Sequence, residues 1–417
     1  MGRFIVEKCR QLNGTVSAVG AKNAALPILA ATVLAGGECR LSNIPDVSDV
    51  RDMLEILEYL GCGIGDLKKG KIIIDSKKIR KTEAPFSYAT RLRASFLIMG
   101  PLLGRFGRAV AAFPGGCKIG TRPVDLHLKG FAQMGARISQ SHGIVTAKAK
   151  KLHGAKIYLD FPSVGATENI MMAATMADGI TVIDNAATEP EITDLAKFLR
   201  KMGAKISGDG TETIEITGCD ELYGAGYSII PDRIEVGTLL SAVAISGGDV
   251  TVDGVVCEHL TPVTAKLTEM GAEISELKNA IRIKMESRLC SADISTLPYP
   301  GFPTDMQAQF SALLSVADGT GIIRETVFEN RFLHLGFLKR MGANIKTDGR
   351  TAVIVGTKFL TGAPVEATDL RAGAALVLAG LAARGTTEIS EIEHIERGYC
   401  RLDEKLNSLG ANISRLP

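Results

Sequence analysis

The sequence predicts an α/β fold built from six copies of one unit, in two groups of three, with apolar helices inside and sheets outside. Three observations predict it. First, a Gly follows a Leu or Met at Leu60-Gly61-Cys62, Met134-Gly135-Ala136, Met202-Gly203-Ala204, Met270-Gly271-Ala272, Met341-Gly342-Ala343 and Leu409-Gly410-Ala411, a spacing of roughly 70 residues that marks an internal repeat. Second, each copy opens with a small, apolar helix that needs cover on every face. Third, one unit offers too little surface to cover that helix alone, so units must cluster. Six in one shell would make an oversized core, which favours two groups of three.

The elements of a unit follow in order. The first helices are expected at 24–34, 94–103, 169–177, 235–245, 306–317 and 370–383. A Gly-containing turn leads to a β-like stretch such as Thr181-Val182-Ile183-Asp184 or Asp249-Val250-Thr251-Val252. A second, amphipathic helix comes next, as in 50–60 and 192–202. It ends at the signature Gly, which suits a left-handed C-terminal cap. Two short strands close the unit, for example 204–206 and 213–216. The groups should divide near Ile230-Pro231-Asp232, giving a domain of 21–230 and a discontinuous one of 1–20 plus 231–417, with a ligand cleft expected between them. The strand at 14–19 precedes the first helix and is expected to complete the last unit.

Composition excludes several functions. A net charge of +2, with 46% hydrophobic and 23% charged residues, describes an ordinary globular protein and gives no global argument for nucleic acid or membranes. The longest apolar runs, 24–36 and 372–383, are too short to span a bilayer. Met1-Gly2-Arg3-Phe4 lacks the apolar stretch of a secretory signal. Eight cysteines are present without a C-x-x-C pair, arguing against a disulfide framework or zinc ribbon, and a cytoplasmic home is expected. The six histidines are dispersed, so no metal site is expected. There is no Walker A motif, H-E-x-x-H or Rossmann fingerprint.

Function is sought where the copies differ. In the stretch from Phe113 to His127, three glycines and two prolines frame Cys117, with Lys118 and Arg122 close by. Glycines permit close backbone approach to a ligand, and neighbouring cations favour a thiolate. Cys9, Cys39, Cys62, Cys219, Cys257, Cys290 and Cys400 lack such a setting and read as small core or surface residues. Lys22 and Asn23 open a buried helix, where free N–H groups favour anions; Asn23 as a cap beside a solvated Lys22 is an equal reading. Arg93 and Arg371 open helices similarly, and Arg331 and Arg397 follow Glu-containing runs. Each Arg alone reads first as a surface ion pair, but several at equivalent positions could converge on an anion. Asp305 precedes a buried helix; its default role is an N-cap, and facing a cleft it could act as a general base.

Together these stretches resemble the UDP-N-acetylglucosamine enolpyruvyl transferase family. The likeness spans nearly the whole chain and is most specific at 20–27, 114–127, 163–167, 302–310, 329–332 and 367–372. It implies a pair of inverse α/β prisms and transfer of the enolpyruvyl group of phosphoenolpyruvate to the sugar 3-hydroxyl, with release of phosphate. It implies Cys117 as general acid, able to form a covalent adduct with phosphoenolpyruvate, and Asp305 as base. Lys22, Arg122 and Arg397 would hold the phosphate, while Arg331 and Arg371 assist with the carboxylate or with closure. Uridine would contact Arg122, Pro123, Val124, Asp125 and Leu126. Further substrate contacts fall to Arg93, Ser163, Val164, Gly165 and Val327, and Asn23 would touch the sugar or phosphoenolpyruvate. No cofactor or metal is implied. Phe161-Pro162 stand where some members carry a Lys, so no diphosphate contact is assigned there. The related shikimate 3-phosphate enolpyruvyl transferase and a non-catalytic binding paralogue are the alternative readings.

Overall fold

The structure is a computed structural model describing residues 2–84, 86–89, 92–113, 120 and 123–417. Cys117 and Arg122 therefore lie outside the described residues. Two compact units form: one holds the described residues of 1–19, 117–121 and 231–417, the other those of 20–116 and 122–230.

In the 231–417 unit the first helices are Arg233–Ser246, Gln307–Val316 and Leu370–Ala382, packed against one another. Their small, apolar residues make this possible: every position from Arg371 to Leu381 is buried. In the other unit the corresponding helices are Lys22–Ala31, Met99–Phe106 and Val164–Ala174. Two of these differ from the expected spans. Val164–Ala174 starts five residues early because Thr167 and Asn169, polar and buried, interrupt the apolar pattern while finding internal partners. The stretch expected as 94–103 opens as a 3-10 turn, Arg93–Ile98, before the helix Met99–Phe106. Pro101 has no N–H to give the Leu97 carbonyl, so regular α-helical bonding begins only around it.

The signature glycines all adopt positive φ: 106° at Gly61, 91° at Gly135, 112° at Gly203, 99° at Gly271, 96° at Gly342 and 107° at Gly410. A Cβ is disfavoured there, which is why the repeat keeps Gly at the helix end.

Among the described residues there are five four-stranded sheets and one three-stranded sheet. In each four-stranded sheet three strands pair antiparallel and the fourth joins in parallel, as Lys156–Tyr158 does with Ile180–Asp184. The N-terminal strands correct one expectation. The strand anticipated at 14–19 is Leu12–Ser17, and it completes the fourth copy, not the last: it pairs in parallel with Gly248–Asp253, Leu12 opposite Gly248. Arg3–Glu7 is the strand that enters the last sheet, between Thr386–Ser390 and Asn412–Leu416. The reason is economy of parallel partners. Gly226–Ser228, the segment ahead of the fourth copy, is already paired with Glu38–Ser42, and Leu12–Ser17 fills the vacant edge. Glu235 fastens this segment, accepting from the Val19 N–H at 3.0 Å and from Lys405 Nζ at 2.7 Å.

Candidate active site

In the 231–417 unit the candidate site is a charge cluster at the start of the helix Gln307–Val316. Asp305 does not cap that helix. It sits in the preceding 3-10 turn, Thr304–Met306, and makes no side-chain cap bond. Its Oδ1 accepts from Arg331 Nη2 at 2.6 Å, and its Oδ2 accepts from Arg371 Nη2 at 2.9 Å and Nε at 3.3 Å. Burial acts to raise this carboxyl, but the Arg371 and Arg331 guanidiniums outweigh it and hold Asp305 well below the usual carboxylate range.

Neither arginine is a surface ion pair. Arg371 is 1% exposed and Arg331 5%. The Asp369 carboxylate caps the helix Leu370–Ala382, accepting from the Arg371 and Ala372 N–H groups at 2.8 and 3.0 Å, which anchors the backbone carrying Arg371. The guanidinium lies 5.1 Å from the Tyr399 ring centroid. Thr238 spends its proton on the Ile234 carbonyl, so the Tyr399 hydroxyl donates to Thr238 at 3.0 Å; Gln309 Nε2 donates to both oxygens. Arg331 Nε is buried with no hydrogen-bond partner among the described residues.

A buried carboxylate, Glu325, stands behind this pair. Its Oε2 accepts from the Thr304 hydroxyl at 2.8 Å; its Oε1 accepts from the Thr296 hydroxyl at 2.9 Å and the Val327 and Phe328 N–H groups at 2.8 and 3.1 Å. Val327 is thus held by its backbone. Arg397 is the C-terminal cap of the short helix Glu393–Glu396 and is half-buried.

In the 20–230 unit, Lys22 starts the helix Lys22–Ala31 but is not solvated. It is 8% exposed, and its Nζ donates to Asp49 Oδ2 at 3.0 Å, on the first turn of the helix Ser48–Leu60. Asn23 makes no cap bond there. Ser163 is the N-cap of Val164–Ala174, its Oγ accepting from the Ala166 N–H at 3.4 Å, and Val164 and Gly165 form the first turn. Pro123 and Val124 lead into the helix Asp125–Gln133, whose first residues are Asp125 and Leu126. Arg93 begins the 3-10 turn Arg93–Ile98.

A neutral network underlies these segments. Asn169 Oδ1 accepts from the Gly100 N–H at 2.6 Å, so its Nδ2 donates to the Phe96 carbonyl at 2.9 Å and to His127 Nδ1 at 3.0 Å. That fixes the imidazole proton on Nε2. Burial, with the charge of Arg93 second, pushes His127 down to about 3. Gly100 is required by the close helix approach, since a Cβ there would lie 2.2 Å from the Asn169 carbonyl oxygen.

The expected residues thus fall into two sets. Asp305, Arg331 and Arg371 are joined directly, with Val327 tied to them through Glu325 and Thr304. Lys22 is paired with a residue that sequence reasoning passed over, Asp49. Glu325, Thr304, Tyr399, His127 and Asn169 were also passed over. Comparing copies could have found Asp49, because acidic residues open the second helix in the first and third copies, Asp49 and Glu191. The other cysteines conform to expectation: Cys9, Cys39, Cys62, Cys257 and Cys400 are buried, Cys219 is half-buried and Cys290 is exposed. Burial pushes the Cys62 thiol up to about 12, far from the reactive range. Among the described residues no helix is long and apolar enough to cross a membrane, and no group of His, Cys, Asp or Glu is placed to hold a metal.

The fold of two three-unit bodies has counterparts among known proteins. The sequence model of the EPSP synthase (3-phosphoshikimate 1-carboxyvinyltransferase) family matches residues 6–406, and the chain belongs to that family. Within it the chain is 57% identical over 413 residues to UDP-N-acetylglucosamine 1-carboxyvinyltransferase 1 of Caldanaerobacter subterraneus subsp. tengcongensis, covering 99% of each. It is 54% identical over 418 residues to UDP-N-acetylglucosamine 1-carboxyvinyltransferase 2 of Carboxydothermus hydrogenoformans, covering 100% of each. Among solved structures, the enolpyruvyl transferase NikO from Streptomyces tendae superposes with a TM-score of 0.90 at 26% identity, over 100% of this chain and 99% of that one. EPSP synthase from Acinetobacter baumannii, at 20% identity and a TM-score of 0.79 over 100% of both chains, shares the fold.

Proposed function

We propose that this protein transfers the enolpyruvyl group of phosphoenolpyruvate to the 3-hydroxyl of UDP-N-acetylglucosamine, releasing phosphate, as the first committed step of peptidoglycan synthesis. The observation that carries this is the 57% identity over 99% of the chain to a UDP-N-acetylglucosamine 1-carboxyvinyltransferase. A cytoplasmic setting, supplying wall precursor for growth, cell shape and division, suits that step.

The reaction has two halves. The Cys117 thiol gives its proton to the methylene carbon of phosphoenolpyruvate, and the adjacent carbon becomes electrophilic. The sugar 3-hydroxyl adds there as its proton passes to Asp305, forming a tetrahedral intermediate. That intermediate then returns a methyl proton to the Cys117 thiolate, the carbon–oxygen bond to phosphate breaks, and the enol ether and phosphate remain. Alternatively the Cys117 sulfur itself adds to the electrophilic carbon, giving a covalent adduct. Lys22, Arg122 and Arg397 hold the phosphate, and Arg331 and Arg371 meet the carboxylate, stabilising charge as it builds. No cofactor takes part. The nucleotide sugar lies against Asn23, Arg93, Pro123, Val124, Asp125, Leu126, Ser163, Val164, Gly165 and Val327.

Asp305 places a condition on this scheme. A base works best with a pKa near the operating pH, yet both its oxygens accept from guanidiniums. An incoming substrate anion that draws Arg331 and Arg371 away frees the carboxylate and raises its basicity. Base strength thus arrives with the substrate.

Phosphate release from phosphoenolpyruvate, measured with UDP-N-acetylglucosamine and with shikimate 3-phosphate in turn, tests the reading; release with the second acceptor alone overturns it. Binding of both substrates without release would favour a non-catalytic paralogue. Fosfomycin should modify Cys117 selectively and faster with nucleotide sugar present, as read by mass spectrometry. Labelling spread over the eight cysteines would remove Cys117 from its role.

A further inference from the structure

We propose that Glu325, acting through the Thr304 hydroxyl, is a positioning residue that sets the grip of Arg331 on Asp305. The inference deepens the reading above and rests on Asp305 and Arg331 being residues of that reaction.

Glu325 lies just past the strand Thr320–Arg324 and is 1% exposed. A buried carboxylate is costly unless its lone pairs are filled, and here four donors fill them: the Thr296 and Thr304 hydroxyls and the Val327 and Phe328 N–H groups. An apolar residue would fill a purely structural position at lower cost. What the carboxylate adds is direction. Each threonine has one hydroxyl proton, and an acceptor-only partner compels that proton to point at Glu325. The remaining lone pairs must then face elsewhere. On Thr296 they receive the Thr326 N–H at 2.9 Å. On Thr304 they receive Arg331 Nη1 at 2.8 Å.

Arg331 is consequently held along one edge by consecutive residues: Nη1 on Thr304 and Nη2 on Asp305. Two contacts fix the plane of a guanidinium where one leaves it free to turn. The same carboxylate anchors the Val327 backbone, so one buried charge ties together the two chain segments that carry Asp305 and Val327.

Four variants separate this role from a structural one. Thr304→Ser keeps the hydroxyl; Thr304→Val removes it. Glu325→Gln offers an amide N–H to Thr304, leaving the Thr304 proton without its acceptor. Thr296→Val removes a different donor to Glu325, one that does not touch Arg331. For phosphate release, Thr304→Val and Glu325→Gln should each lower kcat/KM for phosphoenolpyruvate about tenfold or more. The double variant should be no worse than Thr304→Val alone, because Glu325 acts through Thr304. Thr304→Ser should recover most activity, and Thr296→Val should lower the melting temperature while leaving kcat/KM within about twofold.

A second readout needs no turnover. Rotation of the Arg331 guanidinium about its Cζ–Nε bond, followed by arginine side-chain NMR, should be slow in the parent and Thr304→Ser, and faster in Thr304→Val and Glu325→Gln. Unchanged rotation, or additive losses in the double variant, would overturn the proposal. A parent protein that releases no phosphate would instead sink the catalytic reading, and the rotation measurement would still decide the Glu325 role.

Discussion

The two units solve one problem, holding polar groups at the buried starts of their central helices, by opposite means. In the 231–417 unit the means is charge: Asp305 lies between two buried arginines. In the 20–230 unit, beside the buried Lys22–Asp49 pair, it is a neutral amide, Asn169, that serves Gly100, Phe96 and His127 together. Paired charges give strong directional hold but leave a costly remainder when one member is lost. A neutral network costs less to disturb and offers less to an anionic ligand. On the proposed function, the charged hub is the one that substrate rearranges, and the neutral hub is the one that stays put.

The largest test of this contrast is Arg371→Met. It leaves Asp305 with Arg331 alone and removes a buried guanidinium, so we expect a loss of about 3–5 kcal/mol in denaturant unfolding, together with loss of turnover. Asn169→Ala is the matching change in the other unit. It orphans the Gly100 N–H and His127 Nδ1, while the Phe96 carbonyl keeps the Met99 N–H, and it should cost less, about 3 kcal/mol. If Asn169→Ala proves the more damaging, the charged hub is not the tighter of the two. Asn169→Asp sharpens the point. Its carboxylate still accepts from Gly100 but cannot donate to Phe96 or His127, and its charge should raise the imidazole pKa.

These expectations show what was legible in the sequence. The six signature glycines announced their helix ends because positive φ constrains residue type strongly, and all six carry it. The apolar helices were legible for the same reason: burial on every face leaves a pattern. Polar groups buried with internal partners leave none. Asn169 and Thr167 sit inside a helix that the apolar pattern starts five residues late, and Pro101 delayed another helix that looked continuous. Asp305 and Arg371 could be picked out as deviations from the repeat, but not their mutual contact, which joins residues far apart in sequence. The N-terminal strands went to different copies than expected because parallel partnering depends on which edges other segments leave open.

Acid is the next test, and it acts with one sign on a buried histidine in each unit, against Asp194, whose carboxyl burial raises to about 6 and which gains on acidification. Burial pushes His334 down to about 4, against the pull of Asp369 and with the help of Arg331, and holds His127 at about 3. The folded pKa is below the unfolded value of about 6.5, so the unfolded chain binds protons first and stability falls as pH drops below that value. Between pH 7.5 and 5 each histidine should cost about 2 kcal/mol. Asp305 behaves differently: its contribution is complete above the ordinary carboxylate value and is lost only as pH falls through its depressed folded value, so it is silent in this window. Denaturation midpoints of the parent, His127→Gln and His334→Gln at the two pH values check this. Each substitution should make the acid-induced change less destabilising than in the parent by about 2 kcal/mol, and in Asn169→Asp the His127 part should shrink or reverse.

The smallest expected effect on stability belongs to Ser163, and it separates binding from folding most cleanly. Its cap bond to the Ala166 N–H is long, at 3.4 Å, so Ser163→Ala should cost only about 0.5 kcal/mol, the low end for an N-cap. The first turn behind it is fixed by other means, since Thr167 is tied to Ala187 and Asn169 to Gly100, and the helix start should keep its place. If Ser163 contacts the nucleotide sugar as proposed, its loss should raise the KM for that substrate several-fold, with kcat and the KM for phosphoenolpyruvate little changed. A lowered kcat at constant KM would mean that Ser163 acts on the transition state, and the neutral unit would then do more than hold its ligand in place. Steady-state kinetics with each substrate varied in turn distinguishes the two, and because the cap is weak, an altered KM cannot be blamed on a damaged fold.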